Sequence, residues 1–169
     1  MNIKSILHII TVIILTFSNF GCDKGLAPTE ISQGGGSVTK GISGTIHFSN
    51  WPPESTLVDL RLVAFKNYPP GDIVAEVMQG NAQYTETLKP YFSDSLSYTL
   101  VLTAATWSSI QYIVVAQQFG PNIQADWRMV GVYYTPGDST KPGSLNLSSD
   151  GIIYGINIKV DFLNPPPAQ

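Results

Sequence analysis

Beyond the first forty residues, apolar and polar side chains alternate along the chain in short runs that turn residues separate. This period of two predicts β-strands with one buried face. In residues 41–48 the side chains of Ile42, Ile46 and Phe48 would point inward. Residues 111–118 are apolar on both faces, which is typical of a strand at the centre of a sheet.

Other segments show the same alternation or a weaker form of it, and we predict strands at residues 57–66, 72–78, 84–88, 95–102, 128–134, 144–147 and 151–163. The first of these places Val58 on its buried face, and the last, which is the longest, places Tyr154 there. No segment shows sustained helical periodicity. The pattern therefore predicts an all-β fold, an antiparallel β-sandwich of about 7–9 strands, with a small barrel as the alternative.

Composition narrows the class of protein. Charged residues make up only 12% of the chain and hydrophobic residues 43%, which is too apolar for a disordered chain. The formal net charge is −3, and no cluster of Lys and Arg is present to neutralise phosphates. Nucleic acid is therefore not an expected partner.

The N-terminus has the pattern of a secretory signal. Lys4 precedes a mostly apolar stretch, residues 6–17, which is too short for a membrane span of roughly 20 residues. Gly21-Cys22 then resembles a bacterial lipobox, in which the Cys thiol receives a lipid. We predict a lipoprotein signal peptide at residues 1–21 and lipidation of Cys22, the single cysteine of the chain. An ordinary signal peptide or an uncleaved anchor is the alternative.

The remaining organisation follows from composition. Residues 22–40 are rich in Gly and would form a flexible tether, and residues 164–169 would form a Pro-rich disordered tail. Residues 41–163 would form the β-sandwich domain. The expected location is the cell envelope, anchored by lipid to the outer or the inner membrane, on its periplasmic or surface side.

Four segments carry a family resemblance. Gly41-Ile-Ser-Gly-Thr-Ile, Tyr98-Thr-Leu-Val-Leu, Tyr112-Ile-Val-Val-Ala and Gly155-Ile-Asn-Ile-Lys-Val resemble motifs of the carboxypeptidase-regulatory-like, transthyretin-type β-sandwiches. The resemblance implies a transthyretin-like or Ig-like sandwich that often serves as a non-catalytic module. Residues 103–110 depart from it, because a tight turn usually stands there.

Few residues offer chemistry. After removal of the signal peptide one histidine remains, His47, and no nucleophile–base pair, metal-ligand cluster or cofactor site is predicted. Paired carboxylates of a glycoside hydrolase, or of another carboxylate-based hydrolase, meet only in space. The candidates for such a pair are Glu76, Glu86, Asp94 and Asp126.

Aromatic residues at strand ends are the candidates for binding. Trp51, Trp107 and Trp127 would stack on a glycan or an envelope protein if exposed, with Asp126 and Arg128 sharing a face opposite Trp127. The alternative is that these Trp side chains cap the core. The leading hypothesis is a non-enzymatic, lipid-anchored binding or structural module. A carboxylate hydrolase and oligomerisation through an edge strand are the others.

Overall fold

The computed structural model describes residues 39–103, 107–147 and 151–167. The predicted lipobox and most of the predicted tether lie outside the described residues. Within these ranges the chain forms one α-helix, α1 (Ile73–Met78), one short 3-10 helix (Glu54–Thr56), and the strands β1 (Lys40–Ser49), β2 (Asp59–Phe65), β3 (Ala82–Tyr84), β4 (Ser95–Leu102), β5 (Ser109–Ile110), β6 (Tyr112–Gln118), β7 (Trp127–Val132), β8 (Tyr134–Thr135), β9 (Asp138–Pro142), β10 (Leu145–Asn146), β11 (Gly151–Ile153) and β12 (Ile158–Asp161). Within them, no helix has the length and apolar character needed to span a bilayer.

Eight of these strands form one sheet in the order β3, β2, β6, β7, β12, β1, β4, with β11 beside the first half of β1. Most strand pairs of this sheet are antiparallel, as predicted, but β11 and β12 both run parallel to β1. The reason lies where the last segment enters the sheet. The Gly151 N–H donates to the Thr39 carbonyl at 2.8 Å, so the segment starts beside the beginning of β1 and must follow its direction.

The sheet curls so that its two halves bury one core between them. Ile42 on β1, Leu100 on β4 and Ile158 on β12 belong to the same buried cluster as Leu62 on β2 and Ile113 on β6. Each of these side chains is at most 4% exposed. The prediction of an all-β, sandwich-like fold is confirmed.

The predicted strand at residues 72–78 is wrong, since this segment contains α1. The Asp72 carboxylate accepts a hydrogen bond from the Ala75 N–H at 2.9 Å and caps the first turn. Ile73 and Val77 are four residues apart, so they share one helix face, and both pack on the outer face of β2 and β6. The β-branched side chains of this segment suggested a strand, but the spacing of four residues between Ile73 and Val77 is that of one helix face.

The prediction that residues 111–118 form a central strand is confirmed. β6 lies between β2 and β7, and all seven of its residues are buried. Ile113 and Val115 face the core between the halves, whereas Tyr112 and Val114 face a second cluster under α1. β6 therefore separates two apolar layers.

Two residues predicted to point inward are exposed. Val58 is 50% exposed because β2 begins only at Asp59, and the preceding Leu57 fills the buried place instead. Tyr154 is 75% exposed because the long predicted last strand is interrupted between β11 and β12. Gly155 has a φ of 81° there, which turns the chain out of the strand.

Two further segments differ from the prediction in detail. β3 ends where the weak strand at residues 84–88 was expected to begin, although the Thr85 and Leu88 N–H groups still donate to the carbonyls of Leu62 and Leu60 on β2. The segment 135–143, predicted as a loop, contains most of the β8–β9 hairpin.

The interruption between β11 and β12 fits closely against β1. A side chain at Gly44 would collide with the Ile156 carbonyl, so only glycine allows this approach. The Ile156 N–H donates to the Ser43 carbonyl at 3.1 Å, and the buried Tyr98 hydroxyl donates to the Ile156 carbonyl at 2.7 Å. Burial raises the pKa of Tyr98, so the hydroxyl stays a neutral donor.

Tyr98→Phe tests this contact. Removal of the hydroxyl leaves the Ile156 carbonyl without its buried donor, and we expect a loss of about 1–3 kcal/mol in the free energy of unfolding. Urea denaturation of the whole chain measures it. Tyr154→Phe is the matched control because that ring is exposed, and its stability should equal that of the wild type. Equal stability of all three proteins would contradict the assignment.

Candidate functional site

Trp107 is part of the core. Its side chain is only 2% exposed and belongs to the cluster between the two halves of the sheet. Its indole ring therefore has no free face on which a ligand could stack. The structure assigns this predicted binding residue to core packing.

Trp51 covers one end of the same core. Its ring centroid lies 4.6 Å from that of Phe48, 4.8 Å from that of Phe162 and 5.4 Å from that of the half-exposed Phe92. The indole N–H donates to the Ser93 carbonyl at 3.0 Å. Trp51 is thus fixed by packing on several sides and remains only partly accessible.

Asp126 and Arg128 do not act as a pair. The Asp126 carboxylate accepts a hydrogen bond from the Asn122 N–H at 2.8 Å within the turn before β7. Arg128 donates from Nε to the Gln117 Oε1 at 3.0 Å and lies 5.9 Å from the centre of the Phe119 ring. Within the described ranges no ion pair joins the two residues.

Trp127 is the one predicted site residue that lines the apolar hollow beside α1. Its indole N–H donates to the Ile123 carbonyl at 2.9 Å, which fixes the ring at the start of β7. One part of the ring packs on the second apolar cluster and the rest is accessible. Trp127 therefore has the half-buried position that a stacking residue needs.

This hollow, called the α1 hollow from here on, lies between α1 and the outer face of β2, and its volume is about 270 Å³. Its lining consists of five aliphatic side chains, two aromatic rings and three polar side chains. These are, in the same order, Val63, Ile73, Val74, Val77 and Ile123; Tyr84 and Trp127; and Asp59, Arg61 and Gln118. Apolar pockets with a few converging polar groups are typical ligand sites.

Arg61 is held rigidly in the α1 hollow. Its Nε donates to the Asp59 carboxylate at 2.6 Å and its Nη1 donates to the Thr85 carbonyl at 3.3 Å. The guanidinium carbon lies 5.1 Å from the centre of the Tyr84 ring. Nη2 has no hydrogen-bond partner in the part of the chain that the structure describes, so it is available to a ligand.

The polar end of the α1 hollow is close to electrically neutral. Asp59 compensates the charge of Arg61, and it also accepts the N–H of Leu60 at 2.8 Å. The influence of Asp59 extends further: the pKa of the Tyr91 hydroxyl is raised mainly by burial and then by the Asp59 charge, which Arg61 partly opposes. A second anion would therefore meet repulsion from Asp59.

None of the four carboxylates considered for a hydrolase lines this hollow. Glu76 is on α1, Glu86 follows β3, Asp94 precedes β4 and Asp126 precedes β7. Asp59 is the carboxylate in the lining of the α1 hollow, and none of the four joins it there. Among the described residues no group of three or more potential metal ligands is assembled.

Comparison of the chain with protein-family models, curated proteins and solved structures found no match. The resemblance to the carboxypeptidase-regulatory-like sandwiches therefore stays a prediction. Sequence reasoning missed Arg61, Asp59 and Tyr84 as site residues. The available signal was that Asp59 and Arg61 alternate with buried residues on β2, which places both on its outer face.

Alanine substitutions separate the structural Trp from the accessible one. We expect Trp107→Ala to lower the free energy of unfolding by about 3–5 kcal/mol, because a fully packed ring leaves a cavity. Trp127→Ala should cost less, since part of its ring already contacts water. Urea denaturation followed by circular dichroism measures both. A smaller loss for Trp107→Ala than for Trp127→Ala would show that this assignment is wrong.

Proposed function

We propose that the protein is a non-enzymatic binding module of the cell envelope, held at a membrane by lipid on Cys22, with the α1 hollow as its ligand site. The observation that carries the proposal is the oriented guanidinium of Arg61 at the end of an apolar hollow. Sites that bind by this combination use the apolar surface for affinity and the fixed donor for orientation.

The size of the α1 hollow limits its ligand. Its volume of about 270 Å³ lies near the lower limit of small-molecule sites, which span about 300–1,000 Å³. A cavity of about 150 Å³ holds a benzene ring, so the hollow accommodates one apolar side chain together with the backbone group beside it. The rings of Tyr84 and Trp127 belong to its lining and would contact that side chain, with the aliphatic residues of α1.

The charge of the site favours a neutral ligand. Because Asp59 already balances Arg61, the free Nη2 suits an uncharged acceptor such as a peptide carbonyl. A glycan presents many hydroxyl groups, and the aliphatic part of the lining would leave these without partners. The proposed ligand is therefore an apolar side chain of an envelope protein, together with the carbonyl group beside it.

N-acetyl-phenylalaninamide is a suitable probe because it joins one apolar ring to two neutral amides. We expect it to shift the Trp127 indole N–H resonance of the whole chain in NMR spectra. N-acetyl-phenylalanine should bind more weakly, because its carboxylate beside Arg61 would also be repelled by the Asp59 carboxylate that already balances Arg61. A stronger response to N-acetylglucosamine oligomers than to the amide would overturn the assignment of a protein ligand in favour of a glycan.

Two substitutions test the contacts. Arg61→Met keeps the apolar stem and removes a charged donor worth about 1.5–3 kcal/mol, so the Kd for the amide should rise roughly 10- to 100-fold. Lys66→Met is the matched control, because it removes an exposed cation just beyond the same strand. Val77→Phe should also abolish binding by filling the hollow. Unchanged binding by Arg61→Met and Val77→Phe would refute the site.

The anchor is tested separately by mass spectrometry of the mature N-terminus and by membrane fractionation. The wild type should begin at an acylated Cys22 and sediment with membranes, because three acyl chains hold a protein far more firmly than one. Cys22→Ala should lose the lipid mass and move to the soluble fraction. Ser37→Ala, in the predicted tether, is the control. A cleaved but unacylated Cys22, or unchanged partition of Cys22→Ala, would contradict the proposal.

A further inference from the structure

β4 forms an open edge of the main sheet. It pairs with β1 along one side, and the structure shows no strand on its other side within the described residues. The opposite edge of the sheet, β3, is only three residues long, whereas β4 has eight. The longer free edge of the sheet is therefore on β4.

Alternate residues of β4 direct their backbone groups to this edge. The Asp94 carbonyl accepts the Phe48 N–H of β1 at 2.9 Å. The backbone N–H and C=O groups of the even-numbered residues of β4 therefore point toward β1. The N–H of Thr103 points the other way and donates to the Gln83 Oε1 at 2.9 Å. Since the direction alternates along a strand, the N–H and C=O groups that face the open edge are those of Ser95, Ser97, Thr99 and Val101.

The usual protections of an edge strand are missing from β4. Natural sheets shield such edges with charged residues, proline, bulges or short strands. β4 contains neither proline nor a charged residue, and its register with β1 runs from Ser95 to Leu102 without a shift. An uncharged, regular strand of this length is suited to pairing with another strand.

We propose that β4 pairs with β4 of a second copy of this chain, antiparallel and about a two-fold axis at Tyr98. In this register Ser97 lies opposite Thr99 of the second copy, and Leu96 lies opposite Leu100. The four free N–H groups then meet the four free C=O groups, so both copies gain a complete ladder.

The side chains on the outer face favour a second copy as the partner. In the proposed register the exposed hydroxyl residues Ser97 and Thr99 lie opposite each other, and a hydroxyl both donates and accepts, so the two pair well. Ser95 lies opposite the exposed Val101. A charged partner strand would gain no electrostatic attraction from this edge, because β4 contains no charged residue. Two-fold pairing of identical strands also closes the assembly at a dimer.

Sedimentation equilibrium of the whole chain in density-matched detergent tests the dimer. The wild type should sediment as a dimer, and Thr99→Lys should raise the dimer dissociation constant by about 10-fold or more, because it adds a cation to each copy at the shared edge. His47→Lys is the matched control. It places the same charge on the same outer face, but on β1, which has strands on both sides. A monomeric wild type, or equal effects of the two substitutions, would overturn the proposal.

Disulfide trapping gives a second readout that does not depend on the stability of Thr99→Lys. In the proposed register Ser97→Cys and Thr99→Cys, combined in one chain, should form a dimer linked by disulfides under mild oxidation in membranes, because opposite residues of such a pair lie about 5.5 Å apart. Ser43→Cys with His47→Cys, two positions on the neighbouring strand β1, is the control pair and should stay monomeric. Absence of the linked dimer, or equal linkage in the control, would refute the register.

Discussion

The close approach of the last segment to β1 at Gly44 is the contact on which the arrangement of the sheet depends. The backbone at Ile156 lies where a side chain at position 44 would be, and it is fixed there by the Tyr98 hydroxyl from β4 on the other side of β1. The Thr45 N–H adds a bond to the Asn157 side chain at 2.9 Å. Three neighbouring segments are thereby joined at one point. The break that exposes Tyr154 is thus a structural feature of the sheet, which lets β11 and β12 follow the same strand.

The same sheet creates the second layer. Because β6 is apolar on both faces, its outer face needs a cover as much as its inner face does. α1 supplies part of that cover through Ile73 and Val77, but a helix of six residues cannot close over the whole surface. The α1 hollow is the space that remains between this short helix and the strands. Its lining is mainly apolar for the same reason that the strand beneath it is apolar.

The sequence was sufficient for the elements with a simple period and insufficient where tertiary contacts decide. β1, β4 and β6 could be predicted because each has an unbroken pattern, whereas α1 was missed because Ile73, Val74 and Val77 favour a strand locally. The capping role of Asp72 was the local signal for a helix.

The site was harder to predict. Nothing in the pattern distinguishes Trp107, which fills the core, from Trp127, which lines the α1 hollow, because burial is set by strand order and register. The alternation on β2 predicts that Asp59 and Arg61 point outward, but they form part of a site only because α1 packs beside them.

The two proposals use different polar groups that the folded chain leaves without partners. In the α1 hollow this group is the Nη2 of Arg61, and at the sheet edge the groups are the backbone N–H and C=O of alternate residues of β4. The hollow lies on the outer face of the half that contains β2, and the edge belongs to the half that contains β1. Pairing through β4 would therefore join two copies through a strand that contributes no residue to the hollow. In the proposed dimer, two hollows held at a membrane would bind a partner with repeated apolar side chains more tightly than one hollow would, because the second contact becomes intramolecular. A single hollow of about 270 Å³ is too small for high affinity alone, so the proposed binding module would depend on the proposed dimer to retain a protein partner.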